Sequence, residues 1–193
     1  AIEEELLEAS LTWRDHLYRA LFNQFGEEKG YQLFAQYGKG FSKGYQERFT
    51  PYQAINDISA IEKVFEYSEF QASLSYSEGK DKNHLKLKIY VEGGPISLSE
   101  VLPVLENMDF RVLSEISFII NLPNDKKVWV HDFDIMTQEG NPVELSHFQE
   151  YFLEGFNLIW NEKIENDGFN RLIVRANFKW QECQIIRTYA KYL

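Results

Sequence analysis

Leu85 to Ile135, LKLKIYVEGGPISLSEVLPVLENMDFRVLSEISFIINLPNDKKVWVHDFDI, reads as strand, turn, short helix, strand and strand. Leu85, Leu87, Ile89 and Val91 alternate with polar residues, the period of a half-buried strand. Gly93-Gly94-Pro95 closes that strand. Ser97 with Glu100 has the spacing of a capping box, which puts Leu98, Val101, Leu102, Leu105 and Met108 on the apolar side of a helix. Pro103 lacks an N–H, so the helix is expected to start late or to kink. Val112, Ile116, Phe118 and Ile120 give the next inward face. Pro123-Asn124-Asp125 turns the chain, and Val128 to Ile135 returns as a further strand.

Working outward, Phe70, Ala72, Leu74 and Tyr76 alternate with polar residues, and SEGKDKN is a loop, so a hairpin precedes the quoted stretch. From Glu144 to about Lys163 the pattern is helical, with Phe148, Phe152, Phe156 and Ile159 on one face. The order is ββαββα. A ferredoxin-like or ACT domain runs βαββαβ, and moving its last strand to the front gives the order found here. The sequence therefore predicts an α+β fold: a permuted ACT/ferredoxin-like four-stranded antiparallel sheet with helices on one face.

Residues 1–67 read as a helical segment broken by glycines at 26, 30, 38, 40 and 44, with Thr12 and Pro51 at helix starts. Asn166-Asp167-Gly168 is a break, and Phe169 to Leu193 reads as one long amphipathic helix. The expected division is 1–67 helical, 68–165 ACT-like, and 166–193 a C-terminal helix leading to the rest of a longer polypeptide.

Composition narrows the function classes. Of 193 residues, 44% are hydrophobic and 16% aromatic, enough for a packed core. A formal charge of −10 repels phosphate backbones and argues against nucleic-acid partners. The single cysteine, Cys183, excludes a disulfide within the chain. No apolar run reaches the roughly 18 residues of a membrane span, and AIEEELLEAS is acidic where a signal peptide is basic. Cytoplasmic location is the expectation.

No Gly-rich dinucleotide fingerprint, phosphate loop, paired-histidine zinc helix or CxxC is present. Two constellations remain. Gly93-Gly94, between strand and helix, lets backbone N–H groups approach a carboxylate ligand; the plainer reading is a turn needing positive φ. Asp132 and Asp134 share one strand face while His131 lies on the other with Trp129 and Phe133. The carboxylates suit a cation or acid-base chemistry, but no third ligand is near in sequence. An exposed face, or an edge with inward-pointing charges, is the plainer account, with His131 a hydrogen-bonded core histidine. Arg171, Arg175, Lys179, Arg187 and Lys191 give the last segment a basic character that fits an acidic neighbour or a solvated face.

Several phrases together resemble the large-subunit, NAD-specific glutamate dehydrogenases of bacteria. They are TWRDHLYRALFNQFGEEKG, FSKGYQERFTPYQAINDISAIEK, LKLKIYVEGGPISLSEVLPVLENMDFRVLSE, VWVHDFDI and ENDGFNRLIVRANFKWQECQIIRTYAKYL. The resemblance implies the long N-terminal region of such an enzyme, with ACT-like domains and helical linkers. The catalytic lysine and aspartate and the NAD-binding Rossmann domain lie further toward the C-terminus in that family. It therefore assigns no catalytic, cofactor-binding or metal-binding residue to this chain. It implies NAD as the parent enzyme's cofactor, other domains and subunits of a homo-oligomer as partners, and an amino-acid effector at Gly93 and Gly94. The alternatives are a purely structural subunit-contact domain without a ligand, and an independent enzyme using His131, Asp132 and Asp134.

Overall fold

A computed structural model describes residues 11–67 and 70–192. The helical reading of residues 1–10 and the boundary at 68 lie outside the described residues. The chain divides into two compact units. Among the described residues, one comprises 11–67, 70, 90–94 and 117–130, and the other 71–89, 95–116 and 131–192.

In the first unit, α1 (Trp13–Phe25), α2 (Glu27–Tyr37), α3 (Lys43–Arg48) and α4 (Pro51–Tyr67) follow one another. The Thr12 hydroxyl accepts from the Asp15 N–H and the Asp15 carboxylate accepts from the Thr12 N–H, so aspartate completes the capping box in place of glutamate. Gly26, at φ 81°, sits at the junction of α1 and α2. The core joins Leu17, Leu21, Leu33 and Ile58 from these helices to Tyr90, Phe118, Ile120, Val128 and Val130 from strand ends. Asp57 is the polar member of this interior, 1% exposed. It accepts from the Tyr45 hydroxyl on one oxygen and from the Tyr90 hydroxyl, at 2.7 Å, on the other.

The sheet comprises β1 (Gln71–Tyr76), β2 (Leu85–Glu92), β3 (Phe110–Asn121) and β4 (Lys127–Thr137), in the spatial order β1-β2-β4-β3. That is the order a βαββαβ sheet acquires when its last strand moves to the front, and the predicted α+β, ACT-like fold is the observed one. Antiparallel pairing is visible where the Ser77 N–H meets the His84 carbonyl and the Gly93 N–H meets the Lys127 carbonyl.

Two helices belong with the second unit's strands: α5 (Leu98–Asn107) and α6 (Leu145–Trp160). Phe148, Phe152 and Phe156 of α6 are buried, with the Phe152 ring edge-on to Phe110 at 5.2 Å. Burying each such ring contributes roughly 1.5–3 kcal/mol. Tyr76 sets the start of α6: its hydroxyl donates to the Val143 carbonyl and accepts from the Leu145 N–H, both at 3.0 Å.

Several local readings differ from the structure. Pro103 sits inside α5, which nonetheless begins at Leu98; Ser97 makes no side-chain cap, its hydroxyl pairing instead with that of Ser99 at 2.6 Å. Ile116, read as inward-facing, is 38% exposed. The long C-terminal helix is broken into a 3₁₀ turn (Gly168–Arg171), α7 (Leu172–Arg175) and α8 (Trp180–Lys191). Asn177, at φ 56°, stops the helix, and Lys179 with Glu182 starts the next one.

Three basic residues of this segment, Arg175, Arg187 and Lys191, meet acidic neighbours within the chain. Arg175 pairs with Asp109 at 2.7 Å, and Lys191 with Glu165 at 2.7 Å. Arg187, 4% exposed, holds Asp167 with two nitrogens and Asn170 with one. Cys183 is buried, and burial pushes its thiol upward, against any role as a nucleophile.

Candidate functional site

The Gly93–Ile96 turn joins β2 to α5 at the molecular surface. Gly93 and Gly94 are exposed, and a Cβ on either would meet nothing within 4 Å. The two glycines differ in kind. Gly93 adopts φ 93°, a conformation that favours glycine, and its N–H is spent on the Lys127 carbonyl at 3.1 Å. Gly94 has no such backbone requirement. Pro95 has no N–H, and the Ile96 N–H donates to His131 Nε2 at 3.1 Å. Among the described residues, Gly94 is therefore the one of the four whose amide stands available to a ligand.

Gly93→Ala is expected to destabilise the chain by about 1–2 kcal/mol, the cost of a Cβ in the left-handed region, while Gly94→Ala stays within about 0.5 kcal/mol of wild type. Urea denaturation midpoints compare the two directly. Equal effects would remove the conformational role given to Gly93.

His131 lies beneath the turn, 3% exposed, with Nδ1 2.9 Å from Glu115 Oε1. It is a hydrogen-bonded core histidine. Asp132 and Asp134 are on the other side of β4, 1% and 8% exposed, so the expected exposed face is in fact closed over. The ammonium of Lys86 bridges them, 2.9 Å from Asp132 Oδ2 and 3.5 Å from Asp134 Oδ1. Asp134 also accepts from Ser77 at 3.2 Å and Ser114 at 3.3 Å, and Lys80 stands 3.5 Å away. Burial alone would raise the Asp134 carboxyl, but Lys86, Lys80 and the Ser77 hydroxyl outweigh it and hold it below the usual range. The carboxylates face lysine, while His131 turns toward Ile96 and Glu115, so the three residues do not converge on one point. Among the described residues no group of three His, Cys, Asp or Glu side chains is placed to hold a metal ion. No described helix is long and apolar enough to cross a membrane.

A concave feature lies in the first unit, a groove of about 590 Å³ lined by Phe25, Leu33, Ile58, Phe65 and Glu62 among others. Its Glu62 is engaged by the Tyr37 hydroxyl at 2.7 Å and by Lys29 at 3.6 Å. That contact, with burial acting first, drives the Tyr37 phenol far upward. The groove thus offers an apolar floor whose acid already serves the fold.

Comparison with known proteins bears on all of these features. Residues 69–148 match the family described as glutamate dehydrogenase, ACT3 domain. Residues 20–64 match glutamate dehydrogenase, helical motif 2, and residues 164–193 match helical motif 3 of the same enzymes. The chain belongs to the glutamate dehydrogenase family. It is 34% identical over 192 residues to the NAD-specific glutamate dehydrogenase of Pseudomonas aeruginosa, and equally so to that of Halomonas elongata. The corresponding enzyme of Mycobacterium tuberculosis is 32% identical over 197 residues. Each alignment takes in 100% of this chain and 12% of the relative. The chain thus spans about an eighth of the length of these glutamate dehydrogenases, and the Gly93–Ile96 turn and the Lys86 cluster fall in the segment that matches their ACT3 domain.

Proposed function

We propose that this chain is a non-catalytic regulatory and assembly module of a cytoplasmic, oligomeric NAD-dependent glutamate dehydrogenase. The whole enzyme would convert L-glutamate, NAD and water to 2-oxoglutarate, ammonia and NADH, with the chemistry and the NAD site in other parts of the polypeptide. The module would capture an amino-acid effector at the turn, its carboxylate meeting the Gly94 amide. One observation carries this reading: the turn is exposed and sterically open at both glycines in an ACT-type sheet.

The purely structural reading draws on a different feature. Ile185, Tyr189 and Tyr192 follow one another along α8 and its end at 56%, 70% and 87% exposure, apolar surface suited to contact with another domain or subunit.

Kinetics on the intact enzyme separate the two. With a Gly94→Val substitution, effector response is expected to fall while the basal rate holds. A basal rate that falls in step with the response would favour the structural reading. The chain alone, given glutamate and NAD, is expected to form no NADH; any turnover would overturn its non-catalytic assignment.

A further inference from the structure

α8 is folded with its polarity reversed. Its inward residues are Cys183 and Arg187, 1% and 4% exposed. The Arg187 guanidinium is engaged inside, on Asp167 and Asn170. Ile185 and Tyr189, four residues apart, point outward at 56% and 70% exposure, and Tyr192 continues their line at 87%. A helix that borders solvent turns its apolar stripe to the core and its charges to water. Rotating α8 to bury Ile185 and Tyr189 would break the bidentate hold on Asp167. The chain instead keeps an arginine in the interior and leaves isoleucine and tyrosine outside, an arrangement that suits a helix covered on its outer face.

The flanks of the stripe limit what can cover it. Gln181, Gln184 and Thr188 on one side carry no charge, and the Thr188 hydroxyl donates to the Gln184 carbonyl at 2.8 Å. On the other side Ile186 is half-buried and Glu182 accepts from the Lys179 N–H at 2.8 Å. Lys191, at the end of the helix, is held by Glu165. A partner with a charged rim gains little on such flanks, whereas an apolar face with a neutral rim fits them. Side chains at i, i+4 and i+7 form a ridge that seats in the groove of a facing helix. The matched segment is 12% of each relative, so in a polypeptide of that length most of the chain lies elsewhere in the same copy. A tethered partner reaches the face at high effective concentration and without the entropy loss of joining two molecules.

We propose that the outer face of α8, Ile185, Tyr189 and Tyr192, packs against an apolar, neutral-rimmed helix supplied by another part of the same polypeptide. The proposal rests on the reading of this face as a contact surface and names its partner; effector capture at Gly94 is tested separately, and either can fail while the other stands. In the intact enzyme, p-benzoylphenylalanine in place of Tyr189 is irradiated and the cross-linked peptides are identified by mass spectrometry. The expected product keeps the mass of one subunit and joins position 189 to a segment outside residues 1–193. A product of twice the subunit mass would assign the face to a second copy and overturn the proposal. A link to residues within 1–193, or no link, would overturn it as well. A simpler pair of substitutions guards against a probe that disturbs the fold. Tyr189→Lys in the intact enzyme is expected to speed deuterium exchange over residues 180–192 roughly tenfold, while Gln184→Lys, off the stripe, changes it less than about threefold. Equal responses to the two substitutions would also overturn the proposal.

Discussion

Replacing Lys86 by methionine is expected to cost about 3–5 kcal/mol of stability at neutral pH. The substitution keeps most of the side-chain volume and removes the cation shared by Asp132 and Asp134. Asp132 is almost wholly enclosed, so water cannot take the place of the lost ammonium. The pH dependence follows with a definite sign. In wild type the Asp134 carboxyl is held low, so its contribution is present above the unfolded carboxyl value of about 3.9 and is lost as pH falls through the lower folded value. Without Lys86 the Asp134 carboxylate is buried with less compensation and binds protons more readily. The gap between variant and wild type should therefore narrow on acidification. Denaturant midpoints at neutral and acidic pH check both statements; a gap that stays constant, or stays below about 1 kcal/mol, would mean that water hydrates this cluster freely.

The second large effect is expected at Asp57. Asp57→Ala should cost about 3 kcal/mol, because it leaves the Tyr45 and Tyr90 hydroxyls buried with their acceptor gone. The asymmetry of buried polar groups gives a sharper form of the test. Tyr45→Phe and Tyr90→Phe, added to Asp57→Ala, should recover part of the loss, since removing both sides of a hydrogen bond costs less than removing one. If the triple variant is simply less stable by the sum of its parts, the carboxylate is not the element that ties α3, α4 and the end of β2 together.

The sheet was legible because its signals are local. Period-two alternation at 70–76 and 85–91, and the Gly-Gly-Pro turn, each need only a short window. Adjacency of β1 and β2 followed from the hairpin, and the βαββαβ comparison then implied the remaining order. The C-terminal break was missed because Phe169 to Leu193 keeps an apolar period across it; Asn177, a residue that tolerates positive φ, was the available signal.

The candidate site was legible only in part. Gly93 and Gly94 stood out as a pair, but the hydrogen bond that distinguishes them comes from Lys127, more than thirty residues on. Alternation placed Asp132 and Asp134 on one face correctly. It could not reveal Lys86 opposite them, because that contact depends on β2 lying beside β4. Asp57 went unnoticed among the apolar residues of α4, yet it falls at helical spacing from Ala54 and Ile61, both fully buried. A carboxylate on an apolar stripe was the clue to its tyrosine partners.

A regulatory role for this module requires that the Gly94 turn capture an amino acid. The most direct measurement is calorimetric titration of the intact enzyme with glutamate, aspartate, arginine and other amino acids, in wild type and in Gly94→Val. Saturable binding of at least one of them is expected in wild type, weakened by the substitution while denaturation midpoints stay close. Binding of none, or binding that Gly94→Val leaves unchanged, would contradict it.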